Sequence, residues 1–384
     1  MDSLIRHSDA ARIAQGTHAR IDLAAISANT ATMVSNAGGT PVMAVVKSNA
    51  YGHGLVPAAR AALAGGASRF GVAVIEEALT LRRAGITEPI LAWLPIHQAD
   101  YDDAIMADVE FGVEAPWRLA AIAEAARRIG RRARVHLEID TGMSRGGATS
   151  DDWTMLVESA RDTLAAGHIT VTGIFSHFAC SDTPGHPSIA LQLKAFAEAV
   201  AYAEASGVQP ELRHVSNTAA VLTLPEARYD LVRSGLALYG LNEVEALGDA
   251  GLRPAMTLRS RVSVVKRIPA GTGVMYGLTY RAPADTNVAV IPIGYADGLL
   301  RRSSEAGVEL VVGGRRHPIV GVVGMEQTVL DVGQDLPTPN DEVVVFGPGD
   351  HGELTVSEFA HLLGTVPAEI VARVPASLPR IYEP

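Results

Sequence analysis

The chain has 384 residues, 48% of them hydrophobic and 19% charged, an ordinary globular composition that is long enough for two or three domains with a large core. With 32 Lys and Arg against 42 Asp and Glu, the formal net charge is −10, which argues against nucleic acid or an anionic membrane as the main partner. The single cysteine, Cys180, excludes an internal disulfide framework, and no stretch resembles a signal peptide or a membrane span. We therefore expect a soluble, cytoplasmic protein.

Short apolar runs alternate with alanine-rich helical patterns over the first two thirds of the chain. The run PVMAVV precedes VPAARAALAGGA, RFGVAV precedes EEALTLRRAG, and the alternation continues to YDLVRSGLALYG. The runs are continuously apolar, as expected for parallel strands that are covered on both faces. About eight such repeats favour a closed (β/α)8 TIM-type barrel. An open doubly wound sheet remains possible, although no G-x-G-x-x-G follows the first strand.

After the barrel, the pattern changes to short strands that are separated by Gly, Pro and Asp. The runs MTLRSRVSVVKRI, NVAVIPIGYADG and DEVVVFGPG predict an antiparallel β domain. The predicted fold is therefore α/β, with an N-terminal barrel over residues 20–248 and a C-terminal antiparallel β domain over residues 249–384. We expect residues 1–19 to pack with the β domain.

A lysine lies at the point where one of these strands ends, directly after the run AVV. Because the carboxyl ends of barrel strands carry the chemistry, Lys47 is a candidate Schiff-base lysine, whose free amine attacks an aldehyde. Alternatively, its stem lies on the rim with the charge in water. Polar or cationic groups recur at the same end of other strands: Asp140 to Arg145, His177, Asn217 and Thr218, and Arg233 to Gly235. Their recurrence favours a functional site over packing alone.

Six motifs, VVKSNAYGHG, EIDTGMSRGG, SHFACSD, HVSNTAA, VRSGLALYG and IPIGYADG, occur in this order and resemble those of the alanine racemase family. The resemblance extends over nearly the whole chain, from ARIDLAAI to LPRIY. It implies an isomerase of D-amino acid biosynthesis that uses pyridoxal 5′-phosphate (PLP) and acts on a small amino acid. It also implies a homodimer whose active sites use residues of both subunits.

The resemblance assigns the two catalytic roles, because inversion at Cα needs proton removal on one face and return on the other. Lys47 carries PLP and serves one face. The partner subunit's Tyr276, in GVMYGLTY, serves the other. Because an unperturbed tyrosine has a pKa of about 10, cations are needed to favour its phenolate, and His177 and Arg233 are the candidates.

The remaining binding roles also follow from the resemblance. Arg233 faces the pyridine nitrogen of PLP and keeps it unprotonated, because a guanidinium does not release a proton. The other PLP-binding residues expected are Tyr51, His177, Asn217, Thr218, Gly235 and Leu236. The substrate-binding residues expected are Arg145, Met325, Tyr295 and Glu138. No metal is expected.

Four positions depart from the family pattern. Glu138 stands where many members have a carbamylated lysine, and we predict that its carboxylate contacts Arg145 directly. Gly324 and Glu326 replace a Cys or Ser and an Asp, and Ala368 replaces a tyrosine that crowds the substrate side chain. These changes leave open an amino acid larger than alanine, such as serine, or a drifted PLP-binding homologue with weak activity. Housekeeping and specialised pathways also remain open.

Two other function classes are less compatible with the motifs. A decarboxylase of related fold usually has an acidic residue opposite the pyridine nitrogen, where VRSG has Arg233. A non-enzymatic PLP-binding relative is a short single barrel and lacks a β domain. Nothing beyond turns, surface and packing is expected of His53, Cys180, His186 and Trp93.

Overall fold

The computed structural model describes residues 16–94, 101–248 and 250–384. The predicted packing of residues 1–19 therefore lies mostly outside the described residues. Strand β1 (His18–Asp22) pairs antiparallel with β10 (Met256–Arg261) and parallel with β19 (Arg380–Glu383). The first strand of the described chain therefore lies in a sheet whose other strands all come from the C-terminal domain.

Within the described ranges, eight parallel strands follow one another in the spatial order β8-β7-β6-β5-β4-β3-β2-β9. Their bounds are β2 Val42–Val45, β3 Arg69–Val72, β4 Ile90–Ala92, β5 Val109–Val113, β6 Ala133–Glu138, β7 Ile169–Phe175, β8 Leu212–His214 and β9 Val232–Ser234. The Arg233 amide donates to Ser216 O at 3.2 Å, which brings β9 beside the end of β8 and nearly closes the sheet. The predicted barrel is confirmed, and the open doubly wound sheet is not formed.

Helices cover the outer face of the barrel. They are α1 Leu23–Asn36, α3 Leu55–Ala64, α4 Ile75–Arg83, α5 Tyr101–Met106, α6 Pro116–Ile129, α7 Ser150–Ala165, α8 Pro187–Ala205 and α9 Thr218–Thr223. The short segment α2, Lys47–Tyr51, lies at the barrel rim and has left-handed backbone angles. Local signals fix their ends. Asp22 accepts a bond from the Ala25 amide at the start of α1, and Pro116 occupies the first turn of α6. Among the described residues, no helix has the length and apolar character needed to cross a membrane.

The second domain contains three sheets. The largest has the order β16-β15-β18-β10-β1-β19, and the others are β11-β14-β17 and β12-β13. The strands not yet introduced are β11 Val264–Ile268, β12 Gly273–Val274, β13 Tyr280–Arg281, β14 Thr286–Ile291, β15 Glu309–Val312, β16 Arg315–Pro318, β17 Thr328–Gly333 and β18 Glu342–Phe346. Two helices, α10 Val356–Leu362 and α11 Pro367–Ala372, precede β19. The predicted antiparallel β domain is confirmed, and the parallel pair β1–β19 is its exception.

The C-terminal domain contacts the turn that follows β2. A Cβ atom on Gly52 would lie 2.5 Å from Val371 O in α11, so only glycine fits here. The Arg380 Nε–H also donates to Gly52 O at 2.7 Å. The barrel rim next to Lys47 is therefore held by the end of the same chain.

The barrel interior is partly polar, which the continuously apolar strand pattern did not predict. One part is apolar and consists of Met43, Leu91 and Leu231, with Trp93 and Leu212 packed against them. The other part contains charged and imidazole side chains: Arg69, Glu110, Arg134, His136 and His214. Barrel interiors are usually filled by branched apolar residues, so the presence of these polar side chains needs a structural explanation.

The fold predicts that Gly173→Ala is destabilising, because its Cβ would lie 2.2 Å from His136 Nδ1. We expect the free energy of unfolding to fall by about 1–3 kcal/mol, as is typical of an overpacked interior. Urea denaturation followed by circular dichroism measures the change. In the His136→Ala background the ring is absent and the cost should shrink. The same cost in both backgrounds would contradict this explanation.

Candidate active site

A cavity opens at the carboxyl ends of the barrel strands and contains ten of the residues expected from the sequence. They are Lys47, Tyr51, Glu138, Arg145, His177, Asn217, Thr218, Arg233, Gly235 and Leu236. Five further residues line it: Val45, Trp93, Phe175, Ala219 and Glu243. Trp93, for which the sequence indicated only packing, packs against the apolar part of the barrel interior and also lines this cavity. Trp93 directly follows β4, so the strand-end rule that identified Lys47 also applied to it.

Lys47 is held at the start of a left-handed turn. The four residues Ser48 to Tyr51 all have φ between 52° and 55°, a conformation that costs about 1–2 kcal/mol per residue. The Asn49 side chain stabilises the turn by accepting from the Leu55 amide at 2.8 Å, and the Asn49 amide donates to Glu77 at 3.1 Å. This turn brings the Lys47 amine and the Tyr51 ring together, with Nζ 5.8 Å from the ring centroid.

The surroundings of the Lys47 amine disfavour its charged form. Burial lowers the pKa of Lys47, and the positive charges of Arg145 and Arg233 lower it further. Glu77 and Glu243 oppose this effect without cancelling it. A neutral amine is the form that attacks carbonyl groups and accepts protons.

Hydroxyl and amide groups meet at one end of the cavity. The Gly235 amide donates to Thr218 Oγ1 at 2.9 Å. A Cβ atom on Gly235 would lie 2.8 Å from the Tyr51 hydroxyl, so a side chain here would fill the space. Burial raises the pKa of Tyr51, so its hydroxyl stays protonated and remains a donor. Asn217 accepts from the Ala220 amide at 3.1 Å and so caps α9, whose first residue is Thr218.

Arg233 is a buried cation with almost all of its donors engaged. Nη1 donates to Nδ1 and O of His214, both at 3.0 Å. Nη2 donates to Ser176 O at 2.8 Å, to His177 Nδ1 at 3.0 Å and to Val215 O at 3.3 Å. Burial lowers its pKa to about 10, so it remains charged at neutral pH. Among the described residues, the Nε–H has no partner, and it is the donor left for a ligand in the cavity.

His177 differs from its expected role as a cation. Burial lowers its pKa to about 3, and Arg233 and Arg145 lower it further. Its Nδ1 accepts the bond from Arg233, so the ring is neutral and carries its proton on Nε2. His177 therefore offers the cavity a neutral N–H donor, and of the two expected cations only Arg233 carries a charge.

The predicted contact between Glu138 and Arg145 was wrong for this chain. In the described part of the structure no salt bridge joins them, because Arg145 lies in an exposed loop that Asp140 shapes through the amides of Gly142 to Ser144. The Glu138 carboxylate instead lies against Gly146, whose added Cβ would be 3.2 Å from Oε1. Burial and the charge of Glu114 raise the pKa of Glu138 to about 7, although Arg233 and Arg145 act to lower it.

Three expected site residues lie outside the cavity. Tyr276, Tyr295 and Met325 belong to loops of the β domain and are 73%, 43% and 56% exposed. The loops touch one another: the Tyr295 amide donates to Gly324 O at 3.0 Å, and the Ala296 amide donates to Met325 O at 3.0 Å. Within one chain, these side chains form an exposed face and do not line the Lys47 cavity.

The other substituted positions also lie outside the cavity lining. Met325 is flanked by Gly324, which is buried, and by Glu326, which is exposed. Ala368 is partly buried against the main hydrophobic core in α11. Its neighbours Val366 and Pro367 line an adjoining groove, which shares four residues with the Lys47 cavity: His177, Asn217, Ala219 and Glu243.

The shifted pKa of Glu138 gives a test of its burial. Its folded-state pKa of about 7 exceeds the ordinary value of 4.5. The stabilisation that it provides is therefore complete below pH 4.5 and is lost as the pH rises through 7. Relative to wild type, Glu138→Gln should gain up to about 3 kcal/mol of unfolding free energy across that range.

Urea denaturation of both proteins at about pH 5 and about pH 8 measures this gain. Glu76→Gln, at an exposed helical position outside the cavity, is the matched control for the loss of one carboxylate. A pH-independent difference for Glu138→Gln would mean that its carboxyl group titrates normally.

Comparison with known proteins accounts for most of the chain. The family described as "Alanine racemase, N-terminal domain" matches residues 21–243, and "Alanine racemase, C-terminal domain" matches residues 255–382. The alanine racemase of Thermobifida fusca (strain YX) is 48% identical over 364 residues, which cover 95% of this chain and 97% of that protein.

Solved structures agree in fold. The alanine racemase from D-cycloserine-producing Streptomyces lavendulae superposes with a TM-score of 0.94 at 46% identity, covering 96% of this chain and 97% of that one. The alanine racemase from Streptomyces coelicolor A3(2) superposes with a TM-score of 0.94 at 44% identity, covering 97% and 99%.

Proposed function

The chain belongs to the alanine racemase family, and we propose that it is a PLP-dependent enzyme that interconverts L- and D-alanine. The observation that carries this proposal is the meeting of three groups in one cavity. These are the Lys47 amine with its lowered pKa, the buried Arg233 cation and the donor cluster around Gly235. A cytoplasmic location stays a prediction from the sequence.

The cavity residues fit PLP. Lys47 would hold its aldehyde carbon, and the Tyr51 and Thr218 hydroxyls with the backbone at Gly235 and Leu236 would hold its phosphate. The absence of a side chain at Gly235 supports this, because a Cβ would occupy the space next to the Tyr51 hydroxyl. When bound, PLP attaches the substrate amine and withdraws electrons from Cα, which makes the α-proton acidic.

Arg233 sets the electronic character of the site. The Nη donors of its guanidinium are held by the protein, which leaves the Nε–H to donate to the ring nitrogen that we expect in the cavity. Its pKa of about 10 means that it keeps its own proton at neutral pH. It can therefore donate a hydrogen bond to a ring nitrogen but does not protonate it, which disfavours the decarboxylase alternative.

Two groups exchange the α-proton in this proposal. The Lys47 amine serves one face, because its lowered pKa makes the neutral, proton-accepting form accessible. Tyr276 serves the other face, and its 73% exposure supports a role in the site of a second copy rather than in its own cavity. Arg145, in the exposed loop beside the cavity, binds the substrate carboxylate. We therefore propose a homodimer with shared active sites.

The proposal is tested by D-alanine formation from L-alanine with purified protein. We expect racemisation that depends on added or retained PLP, with alanine turned over at a higher kcat/KM than serine. Ala368 packs against the main core outside the cavity lining, and its methyl group supplies no polar partner for a serine hydroxyl. Higher kcat/KM for serine would support the alternative substrate, and no racemisation of any amino acid would contradict the proposal.

A subunit-mixing experiment tests the shared site. Lys47→Ala and Tyr276→Phe each remove one base, and we expect each homodimer to lose about 10²- to 10⁴-fold in kcat. In a heterodimer of the two variants, one site has both bases and the other has neither. Two affinity tags allow purification of this species, whose activity should recover to about half that of wild type per dimer.

A heterodimer of Tyr276→Phe with the double variant Lys47→Ala/Tyr276→Phe is the matched control, since neither of its sites has the phenol. It should stay inactive. Failure of the first heterodimer to regain activity would mean that the two bases do not act across the subunit boundary.

A further inference from the structure

A continuous chain of hydrogen bonds runs through the barrel interior and ends at Arg233. Arg233 Nη1 lies 3.0 Å from His214 Nδ1, and His214 Nε2 lies 2.9 Å from His136 Nδ1. His136 Nε2 in turn lies 2.9 Å from Glu110 Oε2. Both histidines are fully buried, and Glu110 is 1% exposed. Glu110 is the second residue of β5, so the chain begins near the amino ends of the strands, away from the cavity.

The donors and acceptors of this chain allow only one direction. A guanidinium donates and cannot accept, so His214 Nδ1 is the acceptor and its proton lies on Nε2. His214 Nε2–H then donates to Nδ1 of His136, whose proton also lies on Nε2 and is donated to Glu110. A carboxylate accepts and cannot donate while ionised, so both ends of the chain impose the same direction. Burial, followed by the charge of Arg233, lowers the pKa of His214, which agrees with a neutral ring.

Glu110 is anchored as an ionised carboxylate. Arg69 Nη2 donates to Oε2 at 2.6 Å, and Arg134 Nε donates to Oε1 at 2.9 Å. Burial alone would raise the pKa of Glu110, but the bonds from His136 and Arg69 outweigh it and hold the pKa well below its usual range. The His136 ring is closely packed, because it occupies the space that a Cβ atom on Gly173 would need.

We propose that Glu110 is a positioning residue for Arg233, acting through His136 and His214 by fixing the direction of their hydrogen bonds. This inference rests on the proposed function, in which Arg233 faces the ring nitrogen of PLP. Glu110 does not line the cavity, so it is not expected to contact PLP or the substrate. Its effect is to keep a free acceptor on His214, so that the guanidinium stays aimed at the cavity.

Replacement of Glu110 by glutamine would remove this directional constraint. An amide has a single oxygen, whereas Arg69, Arg134 and His136 all need an acceptor. If the amide nitrogen faces His136, that ring moves its proton to Nδ1, and His214 follows. Arg233 Nη1–H would then meet a second N–H at His214, and the guanidinium would shift from its position.

The test compares holoenzymes of wild type, Glu110→Gln and Glu110→Asp. In Glu110→Gln we expect kcat to fall by about tenfold with KM for alanine nearly unchanged, because the residue acts through others and not on the substrate. We also expect a changed absorbance spectrum of bound PLP and a shifted pH dependence of that spectrum. Glu110→Asp keeps an acceptor-only group and should restore much of both properties.

Glu353→Gln is the matched control for loss of a buried carboxylate. Glu353 is 2% exposed in the C-terminal domain and accepts only from backbone amides among its described partners, those of Gly349 and His351. It should lower stability without changing kcat or the PLP spectrum. A folded Glu110→Gln enzyme with wild-type kcat and a wild-type PLP spectrum would overturn the proposal.

A second measurement does not depend on any variant folding or on racemase activity. Neutron diffraction of the wild-type protein, or ¹⁵N NMR of labelled histidines, reports which ring nitrogen carries the proton. We expect Nε2–H at both His136 and His214. A proton on Nδ1 of either ring would overturn the inference even if the protein racemises alanine, and correct tautomers in an inactive protein would count against the proposed function alone.

Discussion

The structure depends on one buried cation. Arg233 is 5% exposed, and a charge in that position is tolerated only where its donors are satisfied. Its acceptors come from the ends of β7 and β8 and from the residues that follow them, namely Ser176, His177, His214 and Val215. This requirement explains why half of the barrel interior is polar and why Gly173 leaves space for an imidazole. The barrel is thus built around a guanidinium as well as around an apolar core.

The second structural theme is the division of the site between rigid and exposed parts. The cavity groups lie on strand ends and on a left-handed turn that α11 and Arg380 hold from the C-terminal domain. Tyr276 and Met325 lie on exposed loops of the same domain and do not reach this cavity. The C-terminal domain therefore has two roles. It holds the Lys47 turn of its own barrel, and it exposes the side chains that we expect to complete the active site of a second subunit.

The sequence predicted the parts of the site that obey a positional rule. Residues that come just after parallel strands share one face, so Lys47 and His177 were found, and Trp93 obeyed the same rule without being singled out. Glu110 was missed because it lies within a strand, where only the period of two shows that it faces inward. The neutral state of His177 and the unformed Glu138–Arg145 pair depend on burial and loop geometry, which no local pattern encodes. The parallel pairing of β1 with β19 joins the two ends of the chain and has no local signal.

The charges around the cavity suggest why its groups have unusual pKa values. Lys47, Arg145 and Arg233 lie near one another, and the two arginines lower the pKa of Lys47. Burial raises the pKa of Glu138 to about 7, so part of the compensating negative charge is suppressed. The cavity alone is therefore biased towards binding anions. A ligand that carries a phosphate and a carboxylate would neutralise this excess, and the cations that lower the pKa of Lys47 also attract such a ligand.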